Sequence, residues 1–98
     1  MIYADRIRGW AHDRNLLEGS DVKSQFVKLM EEAGELAQAI AKQRDDEFAD
    51  AIGDMFIVLT ILAAQKHMQI ENCIAGAWNE IKDRKGRMVD GIFQKEID

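Results

Sequence analysis

The chain has 98 residues, of which 47% are hydrophobic and 32% are charged, and it contains no proline. This size and composition predict one compact helical domain over residues 1–98 and exclude a disordered or linker-rich chain. The formal net charge of -5 argues against a protein that binds nucleic acid backbones or anionic membranes.

The single cysteine, Cys73, excludes an intramolecular disulfide and is consistent with a reducing cytosol. Residues 1–10 lack the apolar core of a signal peptide, and the longest apolar run, residues 55–64, is too short to span a bilayer. We therefore expect a cytoplasmic protein in which Cys73 is a small core residue.

A glycine separates the first two predicted helices. The periodicity predicts a first helix over about residues 2–17, with Ile7 and Trp10 turned inward. Gly19 is the expected terminator. Ser20 is the expected N-cap of a second helix, which runs to about residue 42 or 43.

A short charged break at residues 43–46 precedes the third helix, which Asp45 or Asp46 is expected to cap and which continues to about residue 67 or 68. Its second half, residues 55–64, is apolar on every side, and such a helix is buried on every side. Because so short a chain has trouble covering it, we expect a partner subunit to cover the remaining face. The alternative is that the first and fourth helices suffice.

A fourth helix is expected over about residues 70–86, with Ile74 and Trp78 among its inward residues and Gly86 at its end. We expect the tail, residues 88–98, to be irregular. The prediction is therefore an all-α, four-helix bundle-like subunit that associates with further copies of itself.

Acidic side chains follow one face of each central helix. On the second helix Glu32 and Glu35 share a stripe with Gln25 and Lys28, whereas Glu31 lies further round. The apolar stripe beside it comprises Val22, Phe26, Leu29, Ala33, Leu36 and Ile40.

On the third helix Glu47, Asp50 and Asp54 lie within roughly 60° of one another. The nearly opposite side comprises Phe48, Ile52, Met55, Leu59 and Leu62. If the two helices pack antiparallel, as their short connection favours, the two acid stripes can converge into a cluster of four or more carboxylates. Such a cluster repels itself unless cations hold it.

The acids have two interpretations, because charged stripes on helices are usually solvated faces. Against that reading, each helix places like charges next to each other, and Lys28 is the only cation within the two stripes. The third helix's acid stripe also runs directly into apolar positions. An all-oxygen ligand set suits Mg²⁺ or Mn²⁺ rather than Zn²⁺. A carboxylate cluster of this kind is a reasonable place for a triphosphate and its metals.

The basic run KDRKGR at residues 82–87 also has two interpretations. It either neutralises the end of a helix or supplies cations, such as Lys82 and Lys85, to phosphate oxygens. Trp10 and Trp78 are expected in the core, but an aromatic side chain beside the acids could also stack on a base.

The segments Glu31-Glu32-Ala33-Gly34-Glu35 and Asp50-Ala51-Ile52-Gly53-Asp54 resemble those of the MazG-like nucleotide pyrophosphohydrolases. That family is grouped with dimeric dUTPases and dCTP pyrophosphatases in an all-α superfamily. The first segment matches the family's EExxE motif in full. The resemblance extends from residues 10–15 to the segment IKDRKGRMVDGIF, which is nearly the whole chain.

By this resemblance, both central helices supply metal ligands. The family's second motif, ExxD, is matched literally by Glu47 and Asp50. If Asp54 is instead aligned with the aspartate of the motif, Ala51 stands at the position of the motif's glutamate. The resemblance therefore leaves the fourth ligand open between Asp50 and Glu47. The expected catalytic and metal-binding set is Glu32, Glu35, Asp50 and Asp54, with Glu31 and Glu47 as further possible ligands.

The resemblance implies hydrolysis of a nucleoside triphosphate, above all a deoxynucleotide, between its α and β phosphates. The products are a monophosphate and pyrophosphate, the cofactor is Mg²⁺ with Mn²⁺ as a substitute, and the role is pool control or house-cleaning. It also implies a dimer or dimer of dimers formed through the central helices. The candidate substrate contacts are Lys28, Lys82, Lys85, Gln25, Trp10 and Asn79.

Two other functions compete with this reading. The first is a non-catalytic helical interaction module whose acid stripes bind a basic partner, and it predicts no need for divalent ions. The second is a small nucleic-acid-binding bundle that uses residues 82–87, and it predicts a steep dependence of binding on salt. The negative net charge disfavours the second.

Overall fold

The computed structural model describes residues 1–96. It contains the helices α1 (Ile2–Asp13), α2 (Val22–Ala41), α3 (Asp45–Gln65) and α4 (Ile70–Ile81), followed by the strands β1 (Gly86–Val89) and β2 (Ile92–Lys95). The prediction of an all-α subunit with four helices is confirmed, since the strands form one small two-stranded sheet. Residues 97–98 of the predicted tail lie outside the described residues.

Within the described part of the chain, no helix has both the length and the apolar character needed to cross a bilayer.

The pair α2 and α3 is the centre of the fold, and its two helices pack on each other more extensively than any other elements. Residues 42–44 connect them, and Gln43 has a positive φ of 56°, which lets the chain reverse at this point. Glu32 and Asp54 are equally far from Gln43 along the chain, so the reversal places them opposite each other. Ala39 and Ala51 are buried, and their small side chains allow a close approach of the helices.

Asp21 caps α2, so the prediction of Ser20 was wrong. The Asp21 carboxylate accepts a hydrogen bond from the Ser24 backbone N–H at 2.7 Å, and this bond lowers the pKa of Asp21. The Ser20 hydroxyl oxygen instead accepts a hydrogen bond from Gln25 Nε2 at 3.1 Å. Asp21 is better placed because its side chain reaches the free N–H groups of the first turn.

The predicted cap of α3 was also wrong, since the N-cap residue is Arg44, whose side chain makes no capping hydrogen bond. Asp46 lies inside the first turn, where its carboxylate accepts a hydrogen bond from the Glu47 backbone N–H at 2.9 Å. Asp45, Asp46 and Glu47 lie in its first turn, where negative charge is favourable against the helix dipole. The outer helices are shorter than predicted: α1 ends at Asp13 rather than near residue 17, and α4 ends at Ile81 rather than near residue 86.

The apolar stripes predicted as core are only partly buried. On α2 the buried residues are Glu32 and Ala39, whereas Phe26 and Ile40 of the predicted apolar stripe are 52% and 58% exposed. On α3 the residues Phe48, Ile52 and Leu59 remain exposed. The two helices meet through the side of α2 that carries Glu32, so each apolar stripe continues past the interface and stays uncovered in the single chain.

The inward face predicted for α1 is confirmed at Ala11, which is buried, and Ile7 is half-buried. The prediction was wrong for Trp10 and for the predicted inward face of α4. Trp10 of α1 and Trp78, Ile74 and Ile81 of α4 are exposed, and so is Cys73. The α4 helix packs on α3 far less than α2 does. The radius of gyration is 16.2 Å, against about 13 Å for a compact domain of about 100 residues, so the subunit is open rather than closed.

The tail forms a β-hairpin, which corrects the prediction of an irregular segment. Strands β1 and β2 are antiparallel, and Val89 pairs with Ile92 across the turn at Asp90 and Gly91. Both turn residues have positive φ, 51° and 79°, as two-residue hairpin turns of the I′ type require. A Cβ at Gly86 would lie 2.9 Å from the Lys95 Cα atom, so this position has no room for a side chain.

An ion pair joins α1 to α4. The Arg8 guanidinium donates two hydrogen bonds of 2.7 Å to the two carboxylate oxygens of Glu71, and it also contacts Asp5. Glu71 lies in the first turn of α4. The hydrogen bonds from Arg8 lower the pKa of Glu71 to about 2.

We expect Glu71→Gln to destabilise the protein at pH 7 and to lose that effect in acid. The Glu71 pKa is lowered on folding, so its contribution is present above its ordinary value of 4.5 and is lost as the pH falls toward about 2. Urea unfolding at a series of pH values measures the difference from the wild type. The control is Glu80→Gln, an exposed position on the same helix. A difference that does not shrink below pH 4.5 contradicts the assignment.

Gly19→Ala is expected to lower the free energy of unfolding by about 1–3 kcal/mol, because overpacking strains the backbone. The added Cβ would lie 2.5 Å from the Asn15 carbonyl oxygen, in the connection between α1 and α2. The control is Gly9→Ala, where the Cβ meets nothing within 4 Å and where alanine should stabilise α1 by about 0.5–1 kcal/mol. Urea denaturation compares them, and equal stability of the two variants would refute this account.

Candidate metal centre

Three carboxylates from two helices converge at the α2–α3 interface. Glu32 and Glu35 of α2 and Asp54 of α3 each contribute one oxygen, and these oxygens lie within 4.8 Å of one another. Glu32 and Glu35 share one face of α2 because they are separated by one helical turn. Asp54 faces them because the chain reverses at residues 42–44. We refer to these three residues as the acid cluster.

The acid cluster is buried at one end and open at the other. Glu32 is 4% exposed, Asp54 is half-buried and Glu35 is exposed. The Lys28 ammonium lies 3.2 Å from Glu32 Oε1, but Glu32 Oε2 is buried without a hydrogen-bond partner among the described residues. A buried carboxylate oxygen without a partner is costly. A cation at the acid cluster would satisfy it.

The carboxylates of the acid cluster disturb one another's ionisation. The pKa of Glu35 is raised, chiefly by its close contact with Glu32. The pKa of Asp54 is raised first by burial and then by the negative charges of Asp50 and Glu32. The folded chain therefore holds negative charges close together at a cost, and a bound cation would remove that cost.

The donor set of the acid cluster fits a hard divalent cation. All three donors are carboxylate oxygens, which suit Mg²⁺, Mn²⁺ or Ca²⁺ better than Zn²⁺. Three protein ligands leave coordination positions for water and for phosphate oxygens, as is usual for Mg²⁺.

The other predicted ligands lie outside the acid cluster. Asp50 is exposed on α3, one turn before Asp54, and its charge reaches Asp54. Glu47 is exposed and forms an ion pair with Arg44 at 3.1 Å. Glu31 is exposed, with one carboxylate oxygen 3.8 Å from the Lys28 ammonium.

The predicted substrate contacts are scattered around this centre. Lys28 is adjacent to the acid cluster, and Gln25 donates a hydrogen bond to Ser20. Asn79 and Lys82 are exposed at the C-terminal end of α4, and Lys85 is exposed directly before β1. Within the single chain, the main contacts of α4 are with α3 and those of the hairpin are within the hairpin itself.

Trp10 lines a shallow apolar pocket of about 300 Å³ on the surface between α1 and α3. The Arg14 guanidinium stacks over its ring at 4.5 Å from the centroid. The pocket also contains Ile57, which follows Asp54 by one helical turn. The remaining lining residues recur at helical spacing before Trp10 and are Tyr3, Arg6 and Ile7. Of these, Ile7 was predicted only as an inward residue of the first helix, and none was predicted to line a site.

Comparison with known proteins adds a family and one relative. Residues 21–89 match the family described as MazG nucleotide pyrophosphohydrolase domain. The chain is also 53% identical over 62 residues, 63% of its length, to a protein of Haemophilus phage HP1 (strain HP1c1) named "Uncharacterized 18.2 kDa protein in rep-hol intergenic region". The chain spans 38% of the length of that relative. No solved structure gives a significant match.

The family match covers the structural parts that build the acid cluster. Residues 21–89 include all of α2, α3 and α4 and strand β1. All three carboxylates of the acid cluster therefore lie within the matched region. Because this match covers more than half of the chain and includes the acid cluster, the protein belongs to the MazG nucleotide pyrophosphohydrolase domain family.

Proposed function

We propose that this protein is a Mg²⁺-dependent nucleoside triphosphate pyrophosphohydrolase. It cleaves the bond between the α and β phosphates and releases a nucleoside monophosphate and pyrophosphate. The observation that carries the proposal is the acid cluster, in which a buried Glu32 oxygen has no partner among the described residues, within a MazG domain.

The acid cluster would hold the metal through Glu32, Glu35 and Asp54, with Asp50 completing the set from the solvent side. When bound, Mg²⁺ polarises phosphate oxygens and lowers the pKa of a coordinated water. Glu32 is the fixed member because its side chain is buried, whereas the exposed Glu35 is free to adjust to the substrate. Mn²⁺ is the expected substitute for Mg²⁺.

The substrate is proposed to be a nucleotide, with a preference for deoxynucleotides and a role in pool control or house-cleaning. Lys28, Lys82 and Lys85 are the candidate cations for the phosphates, and Gln25 and Asn79 are candidate polar contacts. The Trp10 pocket supports this proposal, because an apolar surface with an exposed indole next to the helix of Asp54 suits stacking of a base.

The active form is proposed to be a homo-oligomer, either a dimer or a dimer of dimers. The support is the apolar surface that a single chain leaves uncovered on α3 and α4, including Phe48, Leu59 and Ile74. The net charge of -5 supports a protein that binds neither nucleic acid nor membranes.

A non-catalytic interaction module that binds a basic partner is the alternative function. The exposed acids Glu31, Glu47 and Asp50 would suit such a surface. Glu32 does not suit it, because its side chain is buried and one of its oxygens has no partner within residues 1–96, whereas a docking surface needs its charge within reach of the partner.

We expect the purified protein with Mg²⁺ to convert at least one common dNTP or NTP into monophosphate and pyrophosphate. Glu35→Ala should lower the rate by at least about 100-fold, which corresponds to the loss of about 3 kcal/mol of transition-state stabilisation. Glu35 is the informative position because its side chain is exposed, so the substitution should spare the fold. The assay quantifies monophosphate, pyrophosphate and orthophosphate for each nucleotide.

The controls for this assay are EDTA, which should abolish turnover, and Asp46→Ala. Asp46 lies in the first turn of α3 outside the acid cluster, so its loss should change the rate by less than about threefold. Absence of turnover with both Mg²⁺ and Mn²⁺ would remove the case for an enzyme and favour the interaction module.

We expect the wild type to elute at two or four times the mass of the chain, and Leu59→Glu to lower that mass. Leu59 is 41% exposed on α3 in the single chain, and burying a new carboxylate in an apolar interface is costly. Size-exclusion chromatography with light scattering measures both masses. Gln38→Glu adds the same charge at an exposed polar position of α2 and should leave the mass unchanged. A monomeric wild type would refute the proposed assembly.

A further inference from the structure

Among the described residues, Lys28 is the cation that forms an ion pair with the acid cluster. It lies one helical turn before Glu32, and its ammonium is 3.2 Å from Glu32 Oε1. We propose that Lys28 is a built-in counter-ion, which holds the Glu32 carboxylate in the metal-free protein and competes with the divalent cation for it. The inference rests on the proposed function only in requiring that the acid cluster binds a divalent cation.

The charges of the site show why such a competitor matters. The three carboxylates of the acid cluster and the single ammonium give a formal charge of 1 − 3 = −2, which one divalent cation neutralises. Without Lys28 the formal charge is −3, so a divalent cation meets a stronger attraction. Lys28 therefore weakens metal binding while it stabilises the site without metal.

The burial of the two partners indicates which one moves when the metal enters. The Lys28 side chain is 52% exposed, whereas that of Glu32 is 6% exposed. A surface lysine withdraws into water at little cost, but Glu32 is fixed in the α2–α3 interface. Entry of a cation would therefore displace the ammonium and leave the carboxylate in place.

Lys28 is also an incomplete substitute for a metal. It contacts one oxygen of Glu32, and the other oxygen, Oε2, is buried without a partner among residues 1–96. An ammonium is a single point charge, whereas a divalent cation within the acid cluster can contact oxygens of all three carboxylates. A divalent cation can therefore displace the Lys28 ammonium, although the lysine is part of the chain and always present.

The opposite role for Lys28 predicts the opposite result. If the ammonium keeps its contact with Oε1 and thereby aims Oε2 at the metal, Lys28 is a positioning residue whose loss weakens metal binding. Calorimetric titration of the substrate-free protein with Mn²⁺ or Mg²⁺ distinguishes the two roles without any measurement of turnover.

We expect Lys28→Met to bind Mn²⁺ about threefold to tenfold more tightly than the wild type. The matched control is Lys23→Met, which removes the same charge from an exposed position in the first turn of α2 and should bind Mn²⁺ like the wild type. If the dissociation constant of Lys28→Met for Mn²⁺ is equal to or larger than that of the wild type, the inference is overturned. A larger constant assigns Lys28 the positioning role.

Thermal unfolding gives a second readout of the same competition. In EDTA, Lys28→Met should melt below Lys23→Met, because Glu32 has lost its counter-ion, and saturating Mg²⁺ should close or reverse the gap. An equal melting temperature in EDTA also overturns the inference. If the wild type binds no divalent cation, the inference and the proposed function both fail. If the wild type binds the cation and Lys28→Met binds it equally well, the inference alone fails.

Discussion

Glu32 is buried between α2 and α3, and this burial sets how the two central helices meet. A carboxylate in a helix interface is costly unless it has partners, and Lys28 supplies a partner for one of its two oxygens. The same packing brings Glu35 and Asp54 to the same place, which adds to this cost. A divalent cation would relieve this repulsion and supply a partner for the second oxygen of Glu32.

The same packing explains why the subunit is open. The α2–α3 interface runs through the side of α2 that carries its acids, so the large apolar side chains of both helices continue around the outside. The outer helices do not cover them: α1 and α4 each pack on α3 less extensively than α2 does, and the Arg8–Glu71 ion pair holds the start of α4 against α1. The uncovered apolar surface is therefore a consequence of placing the acid cluster in the helix interface.

The candidate site itself could largely be predicted from the sequence. Helical spacing placed Glu32 beside Glu35, and the short connection favoured antiparallel helices whose acid stripes converge. The family resemblance supplied Asp54 as a ligand, and three of the four expected ligands meet in the structure. The position of Asp50 was less predictable, because residues at i and i+4 share a face but differ by a full turn in height. The Asp90-Gly91 turn was a readable hairpin signal, and the prediction of an irregular tail overlooked it.

The four helices, their order and the acids on the two central ones could be read from the amino-acid sequence, because they depend on local periodicity and on chain reversal at residues 42–44. Which side of each helix is buried follows from tertiary packing alone. A charged stripe and an apolar stripe lie next to each other on α2, and periodicity cannot say that Glu32 is buried while Phe26 is exposed. That choice depends on the exact rotation of α2 against α3, which small residues such as Ala39 and Ala51 permit and which no local signal encodes.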